Sequence, residues 1–247
     1  MLDILKKILK STIRRFGYDI TNVRNQSFGI NIWNDIERLS IAYRKSNQVA
    51  FDVGANVGST SKELLKHFKG CRIYAFEPHP ITFKKLESNI ASTRFFPVQL
   101  AFSDVSGEKN LYDYGDESVI NSLTPNAQYA VRFDKKATEL LIVTKTIDEF
   151  CSEKAIQKID ILKVDTEGHD FNVIKGAERM LASNSITFVY FEFNDFLPRP
   201  GTEGGSLNEI TNYLSNFGFQ FVATYTDYIV TERKIFVVAN VLLFNPN

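Results

Sequence analysis

The sequence predicts an α/β fold: a mostly parallel sheet, covered by helices on both faces and finished by a late hairpin. Three observations carry this. From residue 48 onward, short apolar runs alternate with helical patterns, as strand–helix–strand crossovers require. The first run ends in a glycine turn, "FDVGANVGS", directly before a helix. The last two runs, "FQFVATYT" and "KIFVVANVLLF", follow one another with no helix between them. Such neighbours pair antiparallel.

Each element has its own justification. The chain starts "MLDILKKILKSTIRRF", where Leu2, Leu5, Leu9, Ile13 and Phe16 recur at helical spacing and Lys6, Lys7, Lys10, Arg14 and Arg15 interleave. This basic amphipathic helix has two placements: peripheral contact with an anionic membrane, or packing on its own domain or on a second subunit of a homodimer. The packed placement weighs more. Residues 1–46 are read as an N-terminal helical segment in which Trp33 and Tyr43 serve core packing, and residues 47–247 as the α/β domain. Strand 48–55 leads to helix 59–68, with serine and threonine available as caps. Strand 71–78 leads to helix 80–91, with Pro80 in its first turn. A third strand lies in 94–104, and alternation predicts two more at 109–115 and 139–147. A helix over 146–156 has Asp148 as its expected cap. Strand 159–170 precedes helix 171–182, and a fifth buried strand covers 186–195. A Pro/Gly-rich loop, 196–206, reads as a connection or a substrate lid. The helix "LNEITNYLSNFG" stops at Gly218.

Composition narrows the function. The 247 residues are 44% hydrophobic and 23% charged, enough for a sizeable core in one large domain. Formal net charge is zero, which argues against nucleic acid as a partner. Two cysteines, Cys71 and Cys151, form neither a disulfide framework nor metal-ligand spacing. A reduced, cytoplasmic compartment is therefore expected. No apolar run reaches the roughly 18 residues of a membrane span, and the N-terminus lacks the apolar core of a signal peptide.

Parallel sheets bind ligands beyond the carboxyl ends of their strands, where strand order reverses. Gly54 and Gly58 would let backbone approach a ligand there, and the helix starting at Ser59 offers unpaired N–H groups. A glycine turn alone is weak, because tight turns use glycine for their own sake. Glu77, at the end of the second strand, sharpens the reading: an acid about 20 residues beyond such a turn binds the hydroxyls of an adenosine ribose. The turn reads Gly54-Ala55-Asn56-Val57-Gly58 rather than G-x-G-x-x-G, and Asp52 precedes it. An acid there repels a pyrophosphate and suits a sulfonium. S-adenosylmethionine fits better than NAD, and an NAD-linked oxidoreductase is the lesser alternative. A cofactor-binding scaffold without chemistry is the other.

Four stretches, "FDVGANVGSTSKEL", "YAFEPHPITFKKLESNI", "AFSDVSGE" and "IDILKVDTEGHDFNVIKGA", together resemble the FkbM-type S-adenosylmethionine-dependent methyltransferases. The resemblance runs from about Val49 to the C-terminus. It implies the class I methyltransferase fold, a Rossmann-like three-layer sandwich around a seven-stranded sheet with its last strand antiparallel. It also implies O-methylation of hydroxyls, often on sugars, so a glycan or small-molecule acceptor. Carried over, Asp52, Gly54, Asn56 and Gly58 would surround the methionine part of the cofactor, Glu77 would hold the ribose, and Ser103 and Asp104 would lie near the adenine. Asp165, Glu167 and His169 would sit beside the transferred methyl. The family often has glutamate where this chain has Asp170. Transfer to an alcohol needs a proton acceptor; His169, which titrates near neutrality, is the first expectation and Asp165 the second. Asp165, Glu167 and Glu192 have the oxygen chemistry for a divalent cation, but neutralising neighbouring lysines is the plainer account, and no metal is assigned. Lys163, two residues before Asp165, shares its strand face, and an internal ion pair is expected.

Overall fold

The computed structural model describes residues 27–115, 121–123, 136–193, 206–230 and 235–247, with 12, 13 and 15 besides. The basic segment 1–16 and the loop 196–206 fall almost wholly outside them. The first helix whose bounds lie within the described residues, α1 (Ile32–Ala42), is capped by Asn31, whose side chain accepts from Asn34 N at 3.0 Å; residues 12, 13 and 15 are also helical. The crossovers follow in the expected order: β1 (Val49–Val53), α2 (Ser59–His67), β2 (Arg72–Phe76), α3 (Pro80–Asn89) and β3 (Phe95–Val98). Next come β4 (Ala101–Phe102), β5 (Gly107–Asp113), β6 (Thr138–Lys145), α4 (Ile147–Glu153) and β7 (Ile159–Val164). The chain ends with α5 (Asp170–Lys175), α6 (Glu178–Ala182), β8 (Ile186–Phe193), α7 (Leu207–Ser215), β9 (Gln220–Val230) and β10 (Ile235–Phe244).

Seven strands form the main sheet in the order β3-β2-β1-β7-β8-β10-β9. Five of them run parallel, and β10 is antiparallel to both β8 and β9. Winding goes outward from β1 to β3 and then returns to β7 on β1's other side, so the switch point lies between β1 and β7. This is the class I methyltransferase order. Helices cover both faces. Ile32 and Ile36 of α1 join Leu64 of α2 and Leu86 of α3 over one face; Phe150 of α4, Val173 of α5, Leu181 of α6 and Leu214 of α7 cover the other. Part of the N-terminal segment is thus built into the domain's own core. Trp33 is partly buried and packs edge-on against Tyr190 at the margin of the core, whereas Tyr43 is half exposed against Phe244.

Four readings change. The third strand is two: after β3, residues 99–100 carry the chain off the main sheet, and β4 pairs parallel with β6. A second sheet, β4-β6-β5, results. Helix 171–182 is also two, interrupted at Gly176 and Ala177, where a Cβ on Gly176 would lie 2.2 Å from the Ser103 carbonyl oxygen. Asp148 does not cap its own helix; Thr146 does, accepting from Glu149 N at 3.0 Å. Asp148 instead accepts from Arg179 N at 2.7 Å and Met180 N at 3.0 Å, capping the start of α6. The strand expected over 159–170 ends at Val164, leaving 165–169 as the loop that faces the switch point. Among the described residues, no helix is long and apolar enough to cross a membrane.

Candidate active site

The chain leaves β1 through Gly54 and Asn56, both with positive φ (+76° and +49°). A Cβ on Gly54 would stand 1.8 Å from the Asp165 carbonyl oxygen. Glycine is therefore demanded by the close approach of β7's end. Gly58, at φ +92°, has a different duty. Its Cβ would meet Ile90 at 2.8 Å and Leu86 at 2.9 Å, so it seats α2 against α3 and does not line the cleft.

Beyond these strand ends lies a cleft of about 260 Å³. Its wall is formed by residues 53–57, Glu77 and Pro78, residues 100–102, Leu111, residues 121–123, Lys163 and residues 165–167, with Ser59 and Thr60 at the start of α2. The glycine turn, the acid after β2 and the polar end of β7 therefore share one opening. Glu77 is buried, and both its carboxylate oxygens are held by backbone: Oε2 accepts from Asn56 N and Oε1 from His79 N, each at 3.0 Å. Burial pushes its pKa upward, and these two bonds oppose the shift. The carboxylate is thereby fixed in one orientation, with further lone pairs for a diol.

Asp52 is fully buried and absent from the cleft wall. The register places it beside Lys163 in adjacent strands on one face. Lys163 Nζ lies 3.1 Å from Asp52 Oδ1, a charge contact rather than an aligned hydrogen bond, and 3.4 Å from Asp165 Oδ2. It also donates to the Gly54 carbonyl at 3.1 Å. Burial alone would depress the ammonium, but Asp52 and Asp165 outweigh it and hold its pKa above the ordinary lysine range. The expected ion pair is present. Asp52 meets that cation and accepts from Ser61 Oγ at 2.7 Å.

His169 also stands apart from the cleft wall. It is buried at the start of α5, and both ring nitrogens have partners. Ser103 Oγ donates to Asp104 Oδ1 (2.9 Å) and accepts from Lys109 Nζ (2.8 Å). His169 Nε2, 2.9 Å from that hydroxyl, is left to donate to it. Nδ1 then faces the Asn172 amide at 3.3 Å. Burial, then Lys109, push the imidazole pKa down to about 4. His169 is buried, has both ring nitrogens engaged and does not line the cleft, whereas Asp165 does. Ser103 and Asp104 belong to this same network and lie outside the wall. Asp170, which accepts from Thr166 N and Gly168 N at 3.3 Å, holds the 165–169 loop.

A depressed His169 value has a testable consequence. Its folded pKa lies below the unfolded value of about 6.5. The unfolded chain therefore takes up the proton first, and the contribution present above pH 6.5 is lost as pH falls toward 4. Asp170, pushed up to about 6 by burial and then by Asp165, has the opposite sign: its contribution is lost as pH rises through 6. Because Asp170 is common to both proteins, the difference between His169→Gln and wild type isolates the histidine. We expect the variant to gain about 2 kcal/mol relative to wild type between pH 7 and pH 4.5, read from paired thermal melts. A difference that stays constant with pH overturns the assignment.

Asp165, Glu167 and Glu192 bring carboxylate oxygens within 4.8 Å of one another, all three half-buried. Sequence reasoning missed the apolar part of the wall: Leu100, Ala101, Phe102, Leu111 and Leu123. Leucines in a hairpin read as packing, and no spacing marks them.

Comparison with known proteins gives the family of the chain. Residues 52–221 match the family described as the Methyltransferase FkbM domain. Over 168 residues the chain is 30% identical to the hexuronic acid methyltransferase AglP of Haloferax volcanii, covering 65% of this chain and 62% of that protein. It is 24% identical over 199 residues to the 2-O-methyltransferase NoeI of Sinorhizobium fredii, covering 76% and 77%. With the 31-O-demethyl-FK506 methyltransferase FkbM of Streptomyces tacrolimicus it shares 25% identity over 203 residues, covering 72% and 75%.

Proposed function

Because the chain belongs to the FkbM methyltransferase family, we propose that it transfers the methyl group of S-adenosylmethionine to a hydroxyl of a saccharide or related small metabolite. The observation that carries this is the shared cleft of Gly54–Asn56, Glu77 and Asp165–Glu167. The residues present fit the donor. Glu77 offers a fixed carboxylate to two ribose hydroxyls, the glycine turn lets backbone come close, and three cleft-lining carboxylates outnumber Lys163 among the described residues. A wall with that excess suits a sulfonium and disfavours a pyrophosphate.

When bound, S-adenosylmethionine supplies an electrophilic methyl group. The chain's own residues supply placement and proton handling. Glu77 and the turn would hold the nucleoside and so restrict how the donor can meet an acceptor hydroxyl. Asp165, on the wall, takes the hydroxyl proton as the oxygen commits to the new bond. The name of AglP supports a sugar acceptor, with a uronic acid the first to try, and that of NoeI supports transfer to oxygen. A cytoplasmic site of action is part of the same reading; Cys71 and Cys151 are both free and buried.

Calorimetry with S-adenosylmethionine, S-adenosylhomocysteine and NAD tests the donor, and release of labelled methyl across a panel of sugars and uronic acids tests the acceptor. Binding of both sulfur nucleosides but not NAD is expected; NAD binding alone would sink the proposal. Glu77→Ala is expected to weaken S-adenosylhomocysteine about 10- to 100-fold, the loss of charged hydrogen bonds to the ribose. Unchanged affinity would remove the ribose assignment.

A further inference from the structure

The second strand hands the chain to α3 through Glu77-Pro78-His79-Pro80. Pro78 fixes its own φ, and the ring of Pro80 confines His79 to extended backbone, observed at φ −72° and ψ 122°. Little freedom is left between Glu77 and the helix, and the His79 side chain removes more of it. The residue is buried. Its Nδ1 accepts from Thr82 N at 3.4 Å and lies 3.2 Å from Thr82 Oγ1, capping α3. A ring nitrogen that accepts carries no proton, so in the neutral imidazole the proton is on Nε2. Nε2 faces Asp113 Oδ2 at 3.3 Å, at the end of β5 in the second sheet. The other Asp113 oxygen accepts from Gly115 N at 2.8 Å, so that carboxylate is itself held. His79 N in turn donates to Glu77 Oε1 at 3.0 Å.

We propose that His79 and Asp113 are a positioning pair for the ribose carboxylate: Asp113 holds the imidazole, the imidazole caps α3, and the His79 N–H fixed between them sets the orientation of Glu77. This rests on the donor reading above. Neither residue lines the cleft, so each acts through Glu77. The two tethers of Glu77 come from different parts of the fold. Asn56 N, on Oε2, belongs to the glycine turn after β1. His79 N, on Oε1, is the one that the second sheet reaches through Asp113. Without that second tether the carboxylate can turn about its side-chain bonds, and binding then carries the cost of ordering it. A carboxylate oriented beforehand favours a sugar with two adjacent hydroxyls, because both donate to oxygens already in place. The pair therefore acts on discrimination for the intact ribose, and not on the base or the amino acid of the donor. It also gives the small β4-β6-β5 sheet a duty toward the main one, since β5 is what brings Asp113 to the start of α3.

The Asp113 side chain is 18% exposed at a strand end, so its substitution leaves the core intact, and thermal melts of each variant confirm folding. Calorimetry titrates wild type, Asp113→Ala, Asp113→Asn and His79→Asn with S-adenosylhomocysteine, with adenosine and with dideoxyadenosine, which lacks both ribose hydroxyls. Asp113→Ala is expected to weaken the first two ligands about 3- to 10-fold and to leave dideoxyadenosine within about twofold of wild type. Asp113→Asn keeps an acceptor oxygen toward Nε2 and should recover most of that loss. His79→Asn keeps a helix cap but lacks the ring that reaches Asp113, and should lose as Asp113→Ala does. In a Glu77→Ala background, Asp113→Ala should add no further loss for S-adenosylhomocysteine. Equal weakening of adenosine and dideoxyadenosine, no change in Asp113→Ala, or its full loss repeated on top of Glu77→Ala overturns the pair while the donor reading stands. Failure of wild type to bind S-adenosylhomocysteine overturns both.

Discussion

Lys163→Met is expected to lower the melting temperature by roughly 10 °C, the largest stability effect of any single change in the cleft. The ammonium is 6% exposed and Asp52 is fully buried. Methionine fills a similar volume, so lost packing is a minor part of the cost. What remains is Asp52 in the interior with Ser61 as its hydrogen-bond partner. Removing one member of a buried pair costs about 3–5 kcal/mol, far more than the pair contributes against an apolar replacement. In a domain of this size each kcal/mol shifts the melting point by about 2–4 °C. The double variant Asp52→Asn with Lys163→Met removes both charges and should recover at least half of the loss. Circular dichroism melts of the three proteins at pH 7.5 decide it. A Lys163→Met melt within about 2 °C of wild type would show that the pair carries little stability.

The same residues show how far the sequence could be read. "FDV" and "KVD" each placed a charge at a strand end, and a shared face followed from period two. The pairing of Asp52 with Lys163 needed the β1–β7 register, which no local pattern contains. Asp52 therefore looked like a charge offered to a ligand, when it is committed to the protein's own cation. Gly54 and Gly58 were both legible as special positions. Only the neighbours distinguish them: Asp165 behind one, Leu86 and Ile90 behind the other.

His169 shows a different limit. Its titration range made it the natural base, because an isolated imidazole changes charge near neutrality. Burial and Lys109 remove that property, and Lys109 arrives from β5, about sixty positions away in the chain. The crossovers from β1 to β3 were legible because each strand pairs with a strand near it in sequence. Residues 101–102 were not, because β4 pairs with β6, some forty positions later. The apolar part of the cleft wall fell into the same gap: its leucines have no chemistry that sets them apart from packing.

Asp165→Asn is expected to reduce the turnover number by about 10²- to 10⁴-fold, the range for removal of a general base. Asparagine preserves the shape and one acceptor oxygen of the side chain, so the 165–169 loop, held by Asp170 and by Ser122, should keep its path. What is lost is proton acceptance, together with the carboxylate's charge beside Lys163. Donor affinity provides the contrast. Asp165 already shares Lys163 with Asp52, at 3.4 and 3.1 Å, and its side chain is 36% exposed. Solvent and the ammonium both screen its charge, so S-adenosylhomocysteine affinity should change by less than about threefold. Initial rates of methyl release at saturating donor, with an acceptor found in the sugar panel, give the first quantity, and calorimetry gives the second. A variant retaining more than about a tenth of wild-type turnover would show that the proton goes elsewhere. Glu167, the remaining carboxylate on that lip of the cleft, would then inherit the role, and Glu167→Gln run in parallel would show the loss instead. A large drop in donor affinity with turnover intact would place Asp165 at the amino acid end of the donor and leave the acceptor hydroxyl without an identified base.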